Sequence, residues 1–407
     1  MISVEKAFEL VDETVAKLPS QLVELADSVG RVLTTNIVAD VNSPPHDKSV
    51  MDGFAIHSAD VAEGTRCLEI VETVIAGGWP TKAITRGQAT QIMTGAPIPT
   101  GADAVVMVEQ TKFIESAGQR QVELDVESVA PEKHVLRTGV NFKKGQIVFP
   151  AGHLVRPTDI GLLAEVGAHH VPVGALPTVA VLPTGNELVD CSTLPGRGQI
   201  RNSNGPMLLA MARGLGLQVS DLGIGRDEPG PLTERIQAGL DHDLLLLSGG
   251  VSAGTMDLVP GILNELGVQQ VFHKVHVKPG KPIWFGVLEQ KEKRTYVFGL
   301  PGNPVSSLIG FQLFVKSAIR KLTGDAVGNF KSEIGQLSSP HQTRGDRPTY
   351  WPGKRVNDDS PVRKFQPLMW RGSSDLFALG ESDGLIYFPA ESQDHPAGEQ
   401  VVFYPFA

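Results

Sequence analysis

The chain has 407 residues, more than one hydrophobic core normally serves, so about two to four domains are expected. Its 36 lysines and arginines against 45 aspartates and glutamates give a net charge of −9, which argues against broad nucleic-acid or anionic-membrane binding. Cys67 and Cys191 are the two cysteines, too few for a disulfide framework or a cysteine-based zinc site, and we expect both to be buried. Charges interrupt the N-terminal segment, so no signal peptide is predicted and a cytoplasmic protein is expected.

The first predicted element is an amphipathic helix. Ser3 suits its N-cap, and Pro19 should end it. Apolar residues recur at helical spacing in this segment: Val4, Ala7, Phe8, Val11, Val15 and Leu18.

From about residue 46 to 141 the pattern changes to short β-type runs separated by turn residues, which predicts a small β-rich domain. These runs are RCLEIVETVIAGG, QATQIMTGAPIP, ADAVVMVEQTKFI and RQVELDVESV. A connector with one helix over Ile160 to Val166 follows.

From residue 177 onward, apolar strands alternate with helices. The strands are TVAVLPTG, QVSDLGIG, DLLLLSGG and TYVFGL, and the last runs straight into one long helix, PGNPVSSLIGFQLFVKSAIRKL. This alternation predicts an α/β domain whose parallel sheet is covered by helices on both faces. Short strands return from residue 329 to 407 and predict a small β-barrel or sandwich.

Unusual residues follow four of these strands, and ligands of open α/β sheets bind beyond the carboxyl ends of the strands. The four loops are PTGNEL with Thr184 and Glu187, IGRDEP with Asp227, SGGVSAGTMD with Ser248, Gly249, Gly250, Ser252 and Asp257, and PGNPVSS with Asn303. Asn303 suits an N-cap and Pro304 the first helical position, so this junction could bind phosphate or carboxylate, or could simply cap a structural helix.

Lys278 and Lys281 stand three residues apart in HVKPGKPIWFG, where Pro279, Gly280 and Pro282 exclude a helix. Such lysines either bind an oxyanion as point charges or lie in a solvated turn.

Asp227 and Asp257 suit Mg²⁺, which prefers a few carboxylates together with waters and phosphates. A carboxylate at Asp257 could equally cap the next helix. Two further segments, SPPHDKSVMDGFA and QIMTGAPIPTGADAVVMVE, indicate only constrained loops by themselves.

The motifs in their order resemble those of the molybdopterin molybdenumtransferases, a MoeA-like family that is also similar to the C-terminal domain of gephyrin. They are SPPHDKSVMDGFA, MTGAPIPTGADAVVMVE, PTGNEL, GQIRNSN, RDEP, SGGVSAGTMD, VKPGKP, GLPGNPVSS and RGSSDLFAL, and they extend over nearly the whole chain.

This resemblance implies four structural parts. They are an elongated, discontinuous dimerisation region over residues 1–45 and 142–176, a β-rich inserted domain over 46–141, an α/β molybdopterin-binding domain over 177–328, and a C-terminal β-barrel over 329–407. It also implies a homodimer whose clefts lie between the α/β domain of one chain and the β-rich domain of the other. The implied reaction is Mg²⁺-dependent insertion of molybdenum from molybdate into adenylylated molybdopterin with release of AMP, and a molybdopterin adenylyltransferase is an implied partner.

The resemblance also assigns residues. Those matching catalytic positions are Asp52 (from the partner chain), Glu187, Asp227, Asp257, Lys278 and Lys281, with Asp227 and Asp257 also matching the Mg²⁺ ligands. Those matching substrate-binding positions are Thr94, Gly249, Gly250, Ser252, Pro301, Asn303, Ser306, Ser373 and Ser374.

Three residues depart from the family pattern: His46 and Lys48 stand where an aromatic residue and an amide are expected, and Asn141 stands where a carboxylate is usual. Two alternative functions remain at this point. One is molybdopterin adenylylation, which the β-rich and C-terminal regions argue against. The other is a non-enzymatic, gephyrin-like scaffold, which the lack of any long linker or extra domain argues against.

Overall fold

The structure is a computed structural model that describes residues 1–116, 118–251, 258–291, 293–324, 332–357, 361–391 and 393–406. Its helices are α1 (Val4–Thr14), α2 (Ser58–Ala62), α3 (Asp159–Glu165), α4 (Asn204–Arg213), α5 (Pro229–Leu240), α6 (Val259–Glu265), α7 (Pro304–Gly310), α8 (Lys316–Thr323) and α9 (Leu376–Gly380).

The strands fall into three groups along the chain. The first is β1 (Ser20–Glu24), β2 (Ile37–Val38), β3 (Lys48–Ser49), β4 (Gly53–Ile56), β5 (Cys67–Val74), β6 (Gln88–Ile92), β7 (Ala104–Met107), β8 (Thr111–Ser116), β9 (Gln119–Leu124), β10 (Val135–Leu136), β11 (Ile147–Phe149) and β12 (His170–Gly174). The second is β13 (Thr178–Pro183), β14 (Leu188–Val189), β15 (Ile200–Arg201), β16 (Gln218–Asp221), β17 (Leu244–Ser248), β18 (Gln269–His273), β19 (Trp284–Glu289) and β20 (Arg294–Leu300). The third is β21 (Glu333–Leu337), β22 (His341–Thr343), β23 (Thr349–Val356), β24 (Lys364–Pro367), β25 (Gly384–Phe388), β26 (Gln393–His395) and β27 (Gln400–Pro405).

The central sheet has the strand order β16-β13-β17-β20-β19-β18. The four predicted strands, β13, β16, β17 and β20, are parallel as expected. Two strands that were not predicted from the sequence, β18 and β19, extend the sheet. Strand β19 runs antiparallel to both of its neighbours, β18 and β20. The physical reason is the short turn between β19 and β20, since a turn of this length joins antiparallel strands whereas a parallel pair needs a long crossover.

Helices cover both faces of this sheet, which confirms the predicted α/β class. Alternate residues of one strand point to opposite faces. Leu244 and Leu246 of β17 therefore join the core cluster that α4, α7 and α8 cover, whereas Leu245 and Leu247 join the cluster under α5 and α6. The sheet is thus buried on both sides, as its continuous apolar strands indicated.

The predicted N-terminal helix begins as expected but ends early. Ser3 Oγ accepts a hydrogen bond from Lys6 N at 3.1 Å, and α1 then ends at Thr14 rather than at Pro19. Beyond Thr14, tertiary contacts take the place of helical hydrogen bonds. Ala16 N, for example, donates to the hydroxyl of Tyr296 at 2.8 Å. The buried face of α1 packs into the core of the central sheet. The bounds of the four predicted domains remain a prediction.

The β-rich region forms a second sheet in the order β7-β4-β6-β5-β9-β8. Its core includes Phe54, Leu68, Val106 and Val122. The strands before and after this sheet in sequence pair with each other, β1 with β12 and β2 with β11. The β-rich sheet is therefore an excursion of the chain from a smaller paired region.

The C-terminal region is a closed barrel with the strand order β21-β24-β23-β25-β27, which confirms the predicted small β-barrel. Phe365, Phe388 and Phe403 are buried in it. The start of β23 is joined to the loop between β18 and β19. Lys278 N donates to Pro348 O, and Tyr350 N donates to Lys278 O, both at 2.9 Å.

One expectation about burial is contradicted by the described residues. Cys67 and Cys191 are both exposed, so their predicted burial was wrong. Cys67 occupies an outward position of β5, where buried and exposed residues alternate, and its thiol lies 3.3 Å from Gln121 Oε1. Among the described helices, none has the length and apolar character needed to cross a bilayer.

The long helix predicted after β20 is observed as α7, a π-helical turn over Phe311–Val315 and α8 in unbroken succession. All five residues of the π turn are buried, and the Phe314 ring packs against Phe8 and Phe272. This contact joins α1, the π turn and β18 in one core.

Phe314→Ala should therefore destabilise the central region by about 3–5 kcal/mol, because it removes a fully buried ring and leaves a cavity. Thermal unfolding followed by near-ultraviolet circular dichroism at a fixed scan rate measures this. Phe377→Ala is the matched control, since that ring is 78% exposed, and its midpoint should stay close to that of the unmodified protein. Equal midpoints for the two variants would contradict the packing described.

Candidate active site

A cavity of about 620 Å³ lies at the carboxyl ends of β13, β17 and β20, where the sequence predicted a ligand site. The described residues that line it are Pro183, Thr184, Glu187, Leu188, Ile200, Arg201, Asn202, Ser203, Asn204, Ser248, Gly250, Val251, Pro282, Pro301, Gly302, Asn303, Pro304, Ser374 and Leu376. Its size falls within the usual range for small-molecule sites. The wall mixes prolines and aliphatic residues with amides, hydroxyls and two charges, which suits a polar ligand with a flat organic part.

Asn204, the first residue of α4, joins two walls of the cavity. Its side-chain Nδ2 donates to Ser248 Oγ and to Gly302 O, each at 2.7 Å. The end of β17 and the turn before α7 are thus held by one amide. Asn204 Oδ1 and the hydroxyl of Thr184 are buried and have no hydrogen-bond partner within the described part of the chain. Unpaired buried polar atoms are costly, so ligand or water contacts at this wall would be favourable.

The two glycines after β17 are required by the close approach of β13. Gly249 has φ +92° and Gly250 has φ +62°, a region that favours glycine. A Cβ at Gly249 would overlap Thr184 O, and one at Gly250 would lie 2.8 Å from Thr184 Oγ1. Both predicted binding glycines therefore have a packing role, and Gly250 also lines the cavity.

The turn before α7 brings two distant motifs together. Asn303 is the N-cap residue and Pro304 the first helical residue, as predicted, but the Asn303 side chain makes no capping bond. Its Nδ2 donates instead to Ser373 Oγ at 2.8 Å, and Val305 N donates to Ser373 O at 3.0 Å. These bonds place the RGSS segment beside the cavity, which Ser374 lines. Ser306 is buried within α7 and does not line it.

The predicted carboxylates lie at different places. Glu187 lines the cavity, and Asp227 lies outside its lining on a loop whose backbone is held by a bond from Asp227 N to Asn186 Oδ1 at 3.0 Å. The Asp227 carboxylate is exposed and forms no hydrogen bond or ion pair with another described residue, so it is available to a cation. Ser252 and Asp257 lie outside the described residues.

Among the described residues proposed as Mg²⁺ ligands, Asp227 is the one whose chemistry can be compared with that of the ion. The described part of the chain holds no cluster of three or more histidines, cysteines and carboxylates that could bind a metal. It offers the free carboxylate of Asp227, and Mg²⁺ commonly takes one or two protein carboxylates and completes its shell with waters and substrate phosphates. The donor present therefore fits the ion.

Lys278 and Lys281 lie in the loop between β18 and β19, outside any helix as predicted. Lys278 Nζ donates to Arg344 O at 2.8 Å, which uses one of its three N–H groups. Lys281 is exposed, and its ammonium has no partner among the described residues. Neither side chain lines the cavity, although the adjacent Pro282 does. Lys281 is thus adjacent in sequence to a lining residue, whereas the ammonium of Lys278 contacts the C-terminal region.

Asp52 and Thr94, which are 42 residues apart, meet in the β-rich region. Asp52 Oδ1 accepts hydrogen bonds from Thr94 N at 2.6 Å and from Thr94 Oγ1 at 2.7 Å. The backbone hydrogen bond, followed by that of the hydroxyl, lowers the pKa of Asp52 below its ordinary value. The carboxylate is thus held ionised and oriented, and neither residue lines the α/β cavity of the same chain.

Two of the residues that depart from the family pattern, Asn141 and His46, have identifiable side-chain contacts. Asn141 Nδ2 donates to Ser43 Oγ at 3.2 Å, and that hydroxyl in turn donates to Glu165. The His46 ring meets Trp79 edge-on with 5.2 Å between centroids. Asn141 therefore takes part in a hydrogen-bond chain in the connector that ends at the carboxylate of Glu165.

Several lining residues were not among the predicted site residues. Arg201, Asn202, Ser203 and Asn204 come from one segment, GQIRNSN, which the sequence marked as a motif without assigning roles. A run of polar residues between a short β pair and a helix was the available signal. Thr184 and Ser248 were noted at strand ends, where the structure places them in the wall.

Comparisons with known proteins match the chain from end to end. Family models match the MoeA N-terminal region (domain I and II) over residues 2–167, a probable molybdopterin binding domain over 180–321 and the MoeA C-terminal region (domain IV) over 335–406. A molybdopterin molybdenumtransferase of Staphylococcus aureus is 32% identical over 405 residues, covering 98% of this chain and 94% of that protein. One from Staphylococcus epidermidis is 37% identical over 328 residues, covering 79% and 76%.

Solved structures agree with these matches. A molybdopterin biosynthesis MoeA protein from Pyrococcus horikoshii is 28% identical with a TM-score of 0.85, covering 100% of this chain and 99% of that one. Another solved structure of a molybdopterin biosynthesis MoeA protein from Pyrococcus horikoshii has a TM-score of 0.78 at 27% identity, with 99% of each chain covered. These matches confirm the family resemblance and the fold predicted from the motifs.

The Asp52–Thr94 contact predicts a measurable pKa effect. Thr94→Val removes the hydroxyl donor and keeps the backbone donor, so the pKa of Asp52 should rise part of the way toward the ordinary aspartate value. Carboxyl-¹³C NMR titration with labelled aspartate, assigned by Asp52→Asn, measures it. Thr85→Val, whose hydroxyl bonds to Gln88 instead, is the matched control. An unshifted Asp52 signal in Thr94→Val would show that the hydroxyl makes no such bond.

Proposed function

This chain belongs to the molybdopterin molybdenumtransferase family of molybdenum cofactor biosynthesis, and we propose that it inserts molybdenum from molybdate into adenylylated molybdopterin and releases AMP. One observation carries this proposal. The polar cavity at the strand ends of the molybdopterin-binding region is completed by Ser374 from the C-terminal region, and both regions match their MoeA counterparts. The match to the N-terminal and C-terminal models favours the insertase over a molybdopterin adenylyltransferase.

The cavity suits the organic part of the substrate. Its walls carry amide and hydroxyl groups from Asn202, Asn204 and Ser248, and the prolines at 183, 282 and 301 give it flat apolar surfaces. The buried Asn204 Oδ1 can accept a hydrogen bond from an N–H of a heterocycle, because it lacks a protein partner among the described residues. The ligand would thus be oriented by a pre-formed wall.

Lys278 and Lys281 are proposed to bind the molybdate or phosphate oxyanion. The ammonium of Lys281 is unpaired in the described structure, and that of Lys278 retains two unused N–H groups. Point charges of this kind stabilise tetrahedral oxyanions. The restricted backbone around Pro279 and Pro282 limits how far either lysine can move away.

Asp227, together with Asp257, is proposed to hold Mg²⁺, and Glu187 contributes a carboxylate at the cavity wall. When bound, Mg²⁺ supplies positive charge that offsets repulsion between the oxygens of phosphate and molybdate. The chain's own part is to present the Asp227 carboxylate on a loop whose backbone is held by the bond from Asp227 N–H to Asn186 Oδ1.

We further propose a homodimer in which Asp52 and Thr94 of one protomer complete the site of the other. The oriented Asp52 carboxylate has no partner besides Thr94 in the described residues and lies away from the cavity lining of its own chain. A pre-ionised acid fixed by two donors is suited to contact a cation or a proton-bearing group of the substrate.

Incubation of adenylylated molybdopterin with the protein, Mg²⁺ and molybdate, in the absence of ATP, should release AMP, which chromatography quantifies. Omission of molybdate is the control and should suppress the release. A folded protein that releases no AMP under these conditions, or that needs ATP and free molybdopterin, would contradict the proposal. The latter result would favour the adenylyltransferase.

Lys278→Ala combined with Lys281→Ala should raise the molybdate concentration for half-maximal AMP release by about tenfold or more, because charged hydrogen bonds of about 1.5–3 kcal/mol are lost. Lys17→Ala with Lys354→Ala is the charge-matched control, since both of these lysines are exposed elsewhere. An unaltered molybdate titration for the first pair would contradict the oxyanion assignment.

A further inference from the structure

The cavity wall has an unusual distribution of charge. Of the described residues that line it, Arg201 is the only one with a positive charge, and Glu187 is the only one with a negative charge. The two predicted lysines do not line it. No ion pair joins Glu187 to Arg201 in the described structure, so neither charge cancels the other by direct contact.

The position of Arg201 is fixed through its backbone. It lies in β15, which pairs with β14 so that Val189 faces Arg201. On either side, Ile200 N donates to Glu187 O and Asn202 N donates to Val189 O, each at 2.8 Å. The segment that carries the guanidinium is therefore anchored to the loop that follows β13 and carries Glu187.

The guanidinium of Arg201 is oriented by one hydrogen bond, and most of its N–H donors remain without a partner among the described residues. Arg201 Nε donates to Thr193 O at 3.1 Å, and the two terminal nitrogens have no partner among the described residues. Four N–H groups thus remain in a planar fork at the wall of the cavity. This fork matches two oxygens of a phosphate group, to which arginine binds in a bidentate manner.

We propose that Arg201 binds a phosphate of the adenylylated substrate, at the pyrophosphate link that joins the nucleotide to the pterin part. This inference rests on the proposed function and extends it with a substrate-binding residue. Phosphate is favoured over molybdate as the ligand because Arg201 lies in the cavity wall together with the amides and prolines, whereas the lysine pair lies outside it. Arg201 thereby sets specificity for a phosphorylated pterin nucleotide.

The test compares Arg201→Gln with Arg197→Gln. Arg197 is exposed on the same loop, forms no bond to another described residue and does not line the cavity, so it is matched in charge and location. Arg201→Gln should raise KM for adenylylated molybdopterin by about tenfold to a hundredfold with kcat changed little, and should weaken AMP binding in calorimetry by a similar factor. Arg197→Gln should stay within about twofold of the unmodified protein in both measurements.

Two further measurements separate binding from a merely structural role. The AMP affinity of the unmodified protein should fall more steeply with salt than that of Arg201→Gln, because a screened charge contact has been removed. Arg201→Lys should recover part of the affinity, since it keeps the charge and loses the fork. Circular dichroism shows whether each variant is folded.

The inference is overturned if Arg201→Gln binds AMP as the unmodified protein does, if the unmodified protein binds no AMP, or if the loss falls on the molybdate titration alone. Its failure is distinct from failure of the proposed function. An unmodified protein that binds AMP through Arg201 but releases none from the adenylylated substrate contradicts the function and supports the Arg201 assignment. If the unmodified protein turns over the adenylylated substrate and Arg201→Gln has an unaffected KM, the proposed function is supported and the Arg201 assignment is contradicted.

Discussion

The side-chain amide of Asn204 is the interaction on which the candidate site most depends. Its two hydrogen bonds hold the end of β17 and the turn before α7 at a fixed separation, and these two segments form facing walls of the cavity. A buried amide is well suited to this, because its two donated bonds satisfy both of its own N–H groups. The Ser373 contacts then attach the C-terminal region to the same turn. The cavity is thus assembled by polar side chains on a rigid apolar sheet.

Much of the fold could be predicted because its strongest signals are local. The apolar runs of β13, β17 and β20 and the turn residues between them are visible without tertiary information. Strand β19 was missed because Trp284 to Glu289 follow directly on a proline-rich loop, which obscures the start of the strand in the sequence. The early end of α1 was missed for a different reason. A hydroxyl on Tyr296, 280 residues away, takes over the hydrogen bond of Ala16.

The site was predicted in outline, and residue roles were harder to infer. The strand-end rule located the loops that carry Glu187, Gly250 and Asn303, which all line the cavity. It could not reveal that the Asn303 side chain would bond to Ser373, since this choice between a helix cap and a distant hydroxyl depends on tertiary packing. The positions of Asp52 and the lysines relative to the cavity likewise depend on how whole regions pack.

The backbone pairing of Lys278 with the barrel couples two regions mechanically. Pro348 and Tyr350 hold both the N–H and the C=O of Lys278, so a rigid-body shift of the C-terminal barrel is transmitted to that lysine through the main chain. The barrel core, built around Phe365 and Phe403, lines no part of the cavity, yet the position of the barrel determines the backbone position of Lys278. If Lys278 has the proposed oxyanion role, sequence changes in the barrel should alter the response to the oxyanion without changing a binding residue.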